Sequence, residues 1–430
     1  MPDRDDLDPI RDWPARGKGV FSLGKSTISP EFEPEGRLAE ATWSLIRLAV
    51  IASFLSVLHN AVAVQVSMVA LVLNYAWIHR LALVSGGSAH RRVGRRGASE
   101  AVPFRADLMR ARSVVELGQV AEAHIVSLGD KQVLWSSDGE GFLMYARQGR
   151  HLVGLFDPVA PASLWPELIR LFARHAEGQA CTPVFYQMSP AFTEVASRQG
   201  MRAFKLGELA EVRLRNFSMA GKDWASLRRA INRAERDGLQ FEMVSPEEIA
   251  PLVPELKVVS DSWLAMNKAA EKRFSLGRFT RDYLCAHPLG LIRFEGRIVA
   301  FVNVMTAGEN AFIDLMRFEP GVHRGVMDLL MVRVIEELQS QGYNRLNLGM
   351  APLAGLRSGP DATLWDRAGC FVFKTGNRFY NFHGLLAFKS KFDPEWTSRY
   401  LVVPATSNPY QPAIAVATLI AGGISGLFRR

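Results

Sequence analysis

Cysteine is scarce in this sequence, and its scarcity excludes two kinds of scaffold. Three cysteines occur among 430 residues, namely Cys181, Cys285 and Cys370, and they lie far apart. A disulfide framework or a structural zinc site needs cysteines at short, paired spacings. No group of histidine, cysteine and carboxylate residues has metal-ligand spacing either. We therefore predict no metal, no cofactor and a reducing compartment.

Long apolar runs are also few, and the longest lies near the N-terminus. Residues 41–78 are almost wholly apolar, broken mainly by Arg47, His59-Asn60, Gln65 and Asn74. A bilayer core requires about 20 apolar residues of helix, so the run predicts one tilted span or two short helices. A pair of buried core helices is the alternative. Some forty polar residues precede the run, which argues against a secretory signal peptide.

The charge of the chain is positive, with a formal net charge of +8 and a pI of about 9.5. This balance favours an anionic partner such as nucleic acid or an acidic lipid surface. Several arginines follow the apolar run directly, among them Arg80, Arg91, Arg92, Arg95 and Arg96. Under the positive-inside rule they place the rest of the chain on the cytoplasmic side.

The remainder of the chain alternates between strand-like and helix-like patterns. In its first half, strand-like runs at residues 132–135, 142–145, 151–156 and 183–187 surround a helical pattern at residues 163–175. This alternation with short connections predicts a mixed sheet covered by helices.

The second half repeats the theme with a clearer pattern. Two strands meet at a hairpin turn, Glu295-Gly296, and a third strand covers residues 311–316. An amphipathic helix at residues 325–341 and a strand at residues 345–348 follow. Strand, strand, strand, helix, strand is the order of the N-acetyltransferase-like (GNAT) core. We therefore predict an α/β (α+β) protein with tandem GNAT-like acyltransferase folds joined by a basic helix, behind an N-terminal transmembrane segment.

The basic helix is predicted between the two halves, at residues 221–238. Trp224, Leu227, Ile231 and Ala234 recur at helical spacing and form a narrow apolar stripe. Four arginines lie largely off that stripe and suit phosphate binding, namely Arg228, Arg229, Arg233 and Arg236. A solvated face of a linker helix is the alternative.

A charged pair interrupts the apolar strand at residues 311–316. Asp314 and Arg317 are three positions apart, and side chains on a strand alternate between its two faces. If the two side chains act together, the strand must bend, bulge or end near Leu315 to Met316. The pair is either an ordinary buried ion pair or part of a site.

With its motifs taken in order, the sequence resembles the catalytic domain of the bacterial multiple peptide resistance factors, the aminoacyl-phosphatidylglycerol synthases. The matching motifs are Gly154-Leu-Phe-Asp-Pro-Val159, Phe185-Tyr-Gln187, Lys205-Leu-Gly-Glu208, the arginine-rich run from Arg228 to Arg236, Phe274-Ser-Leu-Gly-Arg-Phe279, Asp314-Leu-Met-Arg317, Asn347-Leu-Gly-Met-Ala-Pro352 and Phe388-Lys-Ser-Lys-Phe392. So many motifs in one order are far more specific than a single short pattern.

The resemblance implies an aminoacyltransferase that uses aminoacyl-tRNA and phosphatidylglycerol. Such enzymes esterify an amino acid from charged tRNA to the glycerol hydroxyl of this lipid at the cytoplasmic face of the bacterial membrane. The transfer alters surface charge and resistance to cationic peptides. We expect lysyl transfer first, with alanyl or arginyl as alternatives. The large flippase region of the family's long form is lacking, so we do not expect lipid translocation by this chain.

The motifs also supply candidate site residues. We expect Asp314 to orient the α-ammonium group of the aminoacyl end or to act as base toward the lipid hydroxyl, and Arg317 to hold a phosphate. The resemblance assigns substrate binding to Lys205, Glu208, Ser275, Asn347, Lys389 and Lys391. Each of these residues also has a purely structural alternative. Glu208 could form a strand-end salt bridge, Ser275 could have a loop role, and Asn347 could cap a turn. The two lysines could be plain surface residues.

Seven segments follow from this reasoning. They are an acidic disordered tail (1–40), a transmembrane segment (41–79), a basic linker (80–112), a first GNAT-like domain (113–215), the basic connecting helix (216–250), a second, catalytic GNAT-like domain (251–404) and an apolar C-terminal segment (405–430). The last segment is too short for a span and is expected either to pack on the body or to lie at the interface. An acyltransferase with an acyl-CoA donor and a non-catalytic lipid- or tRNA-binding module are the alternative functions.

Overall fold

The fold is taken from a computed structural model that describes residues 98–267, 270–375 and 381–423. Contacts divide the chain into one unit of residues 1–100 and a second of residues 101–430, so nearly all described residues belong to the second. The predicted acidic tail, the predicted transmembrane segment and most of the basic linker lie outside the described residues. Within the described ranges, no helix is long and apolar enough to span a bilayer.

Over its described residues, the second unit has eleven strands in one sheet and helices that cover both faces of this sheet. The strands are β1 (Gln132–Trp135), β2 (Phe142–Gln148), β3 (His151–Val159), β4 (Thr182–Met188), β5 (Met201–Arg213), β6 (Gln240–Val244), β7 (Leu289–Phe294), β8 (Arg297–Ala307), β9 (Asn310–Phe318), β10 (Arg345–Pro352) and β11 (Glu395–Pro404). The helices are α1 (Ala98–Glu116), α2 (Trp165–Gly178), α3 (Pro190–Ser197), α4 (Ala225–Arg236), α5 (Pro246–Ile249), α6 (Val253–Met266), α7 (Arg281–Leu284), α8 (Val326–Ser340), α9 (Leu364–Thr375), α10 (Phe382–Ser390) and α11 (Tyr410–Ile420).

All eleven strands form one continuous sheet in the order β1-β2-β3-β4-β11-β5-β10-β9-β8-β7-β6. Two neighbouring pairs are parallel, β3 with β4 and β9 with β10, and each pair is joined through a helix, α2 or α8. The predicted mixed α/β fold, with the same order of elements in both halves, is therefore confirmed.

The two halves share strands at the centre of the sheet. β11 comes from the end of the second half, yet it pairs with β4 and β5 of the first half. β5 in turn pairs with β10 of the second half. Each half of the sheet thus depends on a strand from the other half, and the sequence pattern alone did not indicate this exchange.

The core follows the alternation of apolar residues along the strands. α4 and α8 pack on one face of the second half, where Ile231, Leu330 and Ile313 belong to one buried cluster. α6 and α7 pack on the opposite face, where Leu256, Leu284 and Leu315 are buried together. The predicted turn at Glu295-Gly296 joins β7 to β8, with φ values of 51° and 78° that fit a tight hairpin turn.

The C-terminal apolar segment packs on this body over its described part. In α11, Ala415 and Val416 are buried, and Val416 joins the cluster that contains Phe142 and Leu401. The packing alternative is therefore confirmed for residues 410–420, whereas residues 424–430 lie outside the described residues.

Candidate active site

β9 contains a β-bulge in the region where a distortion was expected if Asp314 and Arg317 act together. Val302 of β8 lies opposite Met316, but Val304 lies opposite Ile313, so β9 carries one extra residue between these pairs. The backbone N–H of Leu315 has no ladder partner there and donates to Oδ1 of the fully buried Asn303, at 2.7 Å. One extra residue reverses the alternation beyond it. Asp314 and Arg317 therefore both contact the α6–α7 side of the sheet.

Asp314 is held by groups from the segment that ends in α7. The hydroxyl of Tyr283 donates to Oδ2 at 2.7 Å, and the backbone N–H of Gly277 donates to the same carboxylate. A Cβ atom at residue 277 would lie 1.9 Å from Oδ2, so this contact requires glycine. Burial raises the pKa of Asp314, while the two donors and nearby Lys131 oppose that rise.

Arg317 has partners of its own on the same side. Its guanidinium lies 4.1 Å from the centre of the Trp263 ring, and its Nη2 donates to Oε2 of Glu271 at 3.1 Å. The side chain is buried, and its ion pair is with Glu271 instead of with Asp314. Among the described residues, Nε of Arg317 and Oε1 of Glu271 are buried without a partner. Two polar atoms, one donor and one acceptor, thus lack a hydrogen-bond partner within the described residues.

A buried lysine fixes the loop that contacts Asp314. Lys131 donates to Oδ1 of Asp130 at 2.5 Å and to the Ile125 carbonyl at 3.2 Å, while Oδ2 of Asp130 accepts the N–H of Phe274 at 3.2 Å. Burial lowers the pKa of Lys131. Ser275, a predicted substrate residue, is buried in this loop. The loop is therefore anchored from the first half of the chain.

A second bulge lies on β10, beside the first. Asn347 is opposite Glu211 and Met350 is opposite Leu209, so β10 carries one extra residue, and Gly349 there has a φ of 80°. Oδ1 of Asn347 accepts the N–H of Gly349 at 2.7 Å, which is the turn-capping contact considered from the sequence. Parallel pairing of β9 with β10 ends at Asn347, although both strands continue. The strands therefore separate close to Asp314.

Lys389 lies at this separation and is buried. It is 4% exposed, and Nζ donates to the carbonyl oxygen of Met350 at 3.0 Å. Burial lowers the pKa of Lys389 to about 7. The alternative of a plain surface lysine was therefore wrong for Lys389. Lys391 is half-exposed and pairs with Asp328 of α8 at 2.9 Å.

The pKa of Lys389 predicts an unusual pH dependence of stability. Because the folded-state pKa is about 7 against an ordinary value of 10.5, the unfolded chain binds more protons between these values. The contribution of Lys389 to the free energy of unfolding should therefore increase as pH rises from 7 to 10. We expect Lys389→Met to be more stable than the wild type at pH 6, on the order of 3 kcal/mol, and to lose this advantage by pH 9.5.

Urea unfolding at pH 6, 8 and 9.5 checks this expectation. Lys257→Met, which removes an exposed lysine paired with Asp261, is the control and should leave the pH dependence unchanged. Equal pH dependence in the wild type and in Lys389→Met would show that Lys389 is charged in the folded protein throughout this range.

Lys205 and Glu208 are brought together by a third bulge. Arg399 of β11 pairs with Gly207, but Tyr400 pairs with Lys205, which leaves an extra residue on β5. Nζ of Lys205 then lies 2.7 Å from Oε1 of Glu208, in a partly buried ion pair. The salt-bridge alternative for Glu208 thus describes its contact in the structure. A Cβ atom at residue 355 would lie 2.3 Å from the Glu208 carboxylate, so Gly355 closes over the pair.

The basic helix is observed as α4, with its arginines in different environments. Nη1 of Arg228 donates to the carbonyls of Met219 and Gly221 and so caps the preceding loop. Arg233 forms an exposed ion pair with Asp237 at 3.4 Å. Arg229 and Arg236 are exposed, and within the described ranges no carboxylate pairs with them. These two arginines are therefore the most available to an external anion.

Sequence reasoning missed several residues that contact or support Asp314 and Arg317, namely Lys131, Trp263, Glu271, Tyr283 and Asn303. A polar residue inside the apolar run of β8 was a signal for Asn303.

We expect Asn303→Leu to lower the free energy of unfolding by about 1–3 kcal/mol, because the Leu315 N–H would remain buried without an acceptor. Chemical unfolding measures this loss, with the exposed Asn232→Leu of α4 as control. A change below about 0.5 kcal/mol would show that Asn303 does not hold the bulge.

Comparison with known proteins matches most of the chain to one family. Residues 112–403 match the family described as phosphatidylglycerol lysyltransferase, C-terminal. The phosphatidylglycerol lysyltransferase of Bacillus subtilis is 37% identical over 289 residues, which are 66% of this chain and 34% of that protein. The enzyme of the same name from Staphylococcus aureus strain MRSA252 is 34% identical over 69% of this chain and 36% of its own length. The matched part thus spans about a third of these relatives.

Two solved structures are similar over their whole length. The C-terminal domain of a putative lysylphosphatidylglycerol synthetase from Agrobacterium fabrum is 41% identical, with a TM-score of 0.68 over 75% of this chain and 99% of that chain. The structure named L-PGS from Bacillus licheniformis is 34% identical, with a TM-score of 0.63 over 77% of this chain and 99% of that chain.

Proposed function

Since this chain belongs to the family of the phosphatidylglycerol lysyltransferase C-terminal domain, we propose that it transfers an aminoacyl group from aminoacyl-tRNA to the glycerol hydroxyl of phosphatidylglycerol. Lysyl is the first candidate, with alanyl and arginyl as alternatives. The observation that carries the proposal is the β9 bulge, which turns Asp314 and Arg317 to one side of the sheet. We place the reaction at the cytoplasmic face of the membrane, with residues 41–79 as the anchor.

The fold supports acyl transfer, with two GNAT-like units completed by exchanged strands. It does not favour acyl-CoA as donor. Pyrophosphate binding in such enzymes uses free N–H groups at a helix start, which here is the start of α8. Nδ1 of His323 already accepts the N–H of Gly325, and a Cβ atom at residue 325 would lie 3.1 Å from the Ala230 carbonyl oxygen of α4. One of the N–H groups that a pyrophosphate would use is therefore already taken, and α4 packs closely against the start of α8.

The proposed reaction exchanges one ester for another. The lipid hydroxyl attacks the carbonyl carbon of the aminoacyl ester, a new C–O bond forms, and the bond to the tRNA ribose oxygen breaks. Asp314 accepts the proton of the lipid hydroxyl and returns it to the ribose oxygen as that oxygen leaves. A raised pKa makes its carboxylate a better base near neutral pH. Tyr283 and Gly277 orient the carboxylate for this task.

Arg317 and Glu271 suit the charges of the two substrates. We assign the unpaired Nε of Arg317 to an anionic oxygen, either of the lipid phosphate or of the tetrahedral intermediate. The unpaired Oε1 of Glu271 is assigned to the α-ammonium group of the aminoacyl end. The stacking of Arg317 on Trp263 fixes the guanidinium before the substrates bind. Both substrates are thus held beside the same base.

The tRNA is proposed to lie along α4. Arg229 and Arg236 are exposed and project positive charge, and Arg233 adds to it beside Asp237. Lys205 with Glu208 and Lys389 lie near the strand separation, where they would hold the substrate ends. Lys391, held by Asp328, is proposed to contribute phosphate contacts. The proposal also includes the expected consequence for surface charge and for resistance to cationic peptides.

A panel of acceptors and donors tests the proposed function. The full chain is incubated with vesicles of phosphatidylglycerol, phosphatidylethanolamine or phosphatidylcholine and with tRNA charged with labelled lysine, alanine or arginine. We expect label in phosphatidylglycerol and in neither of the other two lipids. One of the three amino acids should be transferred clearly more than the others. Equal label in all three lipids, or none in phosphatidylglycerol with any donor, would overturn the proposal.

A further inference from the structure

A cavity outside the β9 region is lined by cations that the proposed mechanism does not use. It has a volume of about 290 Å³ and lies between the loop at residues 357–359 and α9. Its lining comprises Arg357, Ser358, Gly359, Arg367, Cys370, Phe371 and Lys374. None of the residues assigned above to the transfer reaction belongs to this set.

The cations converge because of helix geometry. Arg367, Cys370 and Lys374 are three and four positions apart, so they share one face of α9. Nη2 of Arg367 donates to the Pro360 carbonyl at 2.8 Å, which fixes its guanidinium beside the loop that carries Arg357. Within the part of the chain that the structure describes, neither Arg357 nor Lys374 forms an ion pair with a carboxylate. Three cations therefore line the cavity, and no carboxylate belongs to its lining.

An exposed apolar side chain lies on the same helix, beside the cavity. Leu364 is 78% exposed, and it precedes Phe371 of the cavity lining by seven positions, so the two residues share one side of α9. Nucleic acid offers no apolar layer to cover aliphatic side chains, whereas a bilayer offers acyl chains directly beneath its phosphates. The combination of a cationic cavity and an exposed leucine beside it therefore favours a lipid surface.

We propose that this cavity binds the phosphodiester of an anionic glycerophospholipid at the membrane surface, with Leu364 against the acyl chains. α9 would thus be a docking element of the catalytic body, separate from the reaction site. This docking proposal rests on the proposed function only for the class of lipid.

Cys370 provides a native reporter in the cavity. It is half-buried, and its thiol lies 3.4 Å from the Arg357 carbonyl oxygen. The full chain is placed in nanodiscs of phosphatidylcholine alone or with phosphatidylglycerol, and maleimide alkylation of each cysteine is followed by peptide mass. We expect phosphatidylglycerol to slow alkylation of Cys370 about fivefold, with Cys285 unchanged. Arg357→Glu with Lys374→Glu should abolish this protection, while the control Arg150→Glu with Arg170→Glu should keep it.

Three further measurements of Cys370 protection distinguish a lipid from other anionic ligands. Leu364→Ser should weaken the protection, and inorganic phosphate or uncharged tRNA without lipid should give none. Equal protection by inorganic phosphate would overturn the proposal in favour of a small-anion site. Protection by tRNA and not by phosphatidylglycerol would overturn it in favour of an RNA surface. Lipid labelling measured in the same preparation distinguishes the docking proposal from the proposed transferase function. If Cys370 is not protected while aminoacyl transfer to the lipid is normal, only the docking proposal is refuted.

Discussion

Asp314→Ala is expected to abolish transfer of the aminoacyl group to phosphatidylglycerol, with kcat/KM lowered by about 10³-fold. A positioned base contributes about 10²- to 10⁴-fold to such a reaction. Asp314→Asn should be nearly as inactive, because the amide retains an acceptor for Tyr283 and Gly277 but cannot take a proton. The rate of lipid labelling with a saturating donor measures the effect.

The fold of the Asp314 variants is expected to survive. Burial raises the pKa of Asp314, so the folded protein gains little from its charge. The matched control is Asp282→Ala, which removes an exposed carboxylate next to Tyr283 and should keep full activity. Activity of Asp314→Ala within a few-fold of the wild type would remove Asp314 from the site.

Arg317→Ala is expected to abolish lipid labelling as well, but it should also lower stability. The substitution leaves the Glu271 carboxylate without its cation, and removal of one partner from a buried pair costs about 3–5 kcal/mol. The true cost should be smaller here, because the Glu271 side chain is 28% exposed. Arg317→Lys should keep the charge, lose the planar contact with Trp263 and remain at least about tenfold less active.

A double variant separates the two effects of Arg317→Ala. Combining Arg317→Ala with Glu271→Gln removes the unpaired charge, so the melting temperature should recover most of its loss while lipid labelling remains absent. Recovery of transfer together with stability would show that Arg317 has only a structural role.

The central site illustrates what a sequence can and cannot predict. The spacing of Asp314 and Arg317 required a distorted strand if the two residues act together, since an undistorted strand would turn them to opposite faces. The structure has such a distortion, the β9 bulge, and the joint role of the two residues stays a prediction. The contact that holds it, between Leu315 and Asn303, joins residues on two strands, and no local pattern reveals which strand positions lie opposite each other.

Burial and long-range pairing account for most of what was missed. Lys389 stands between Phe388 and Ser390 in a motif that carries no sign of its burial, because its environment comes from β10. The exchange of β5 and β11 depends on pairing between distant segments. The helical pattern at residues 325–341 became α8, Val326–Ser340. The connecting helix assigned to residues 216–250 is shorter, because it ends at Arg236 and the chain then enters β6. Local periodicity therefore predicted the elements but not their partners.

The most direct test of the account asks whether the donor is aminoacyl-tRNA. The full chain is incubated with phosphatidylglycerol vesicles and lysyl-tRNA labelled in the amino acid, with and without prior ribonuclease treatment, and label is counted in the extracted lipid. The account predicts label in phosphatidylglycerol that ribonuclease eliminates and that Asp314→Ala lacks. Label that survives ribonuclease, or that Asp314→Ala retains, would contradict it.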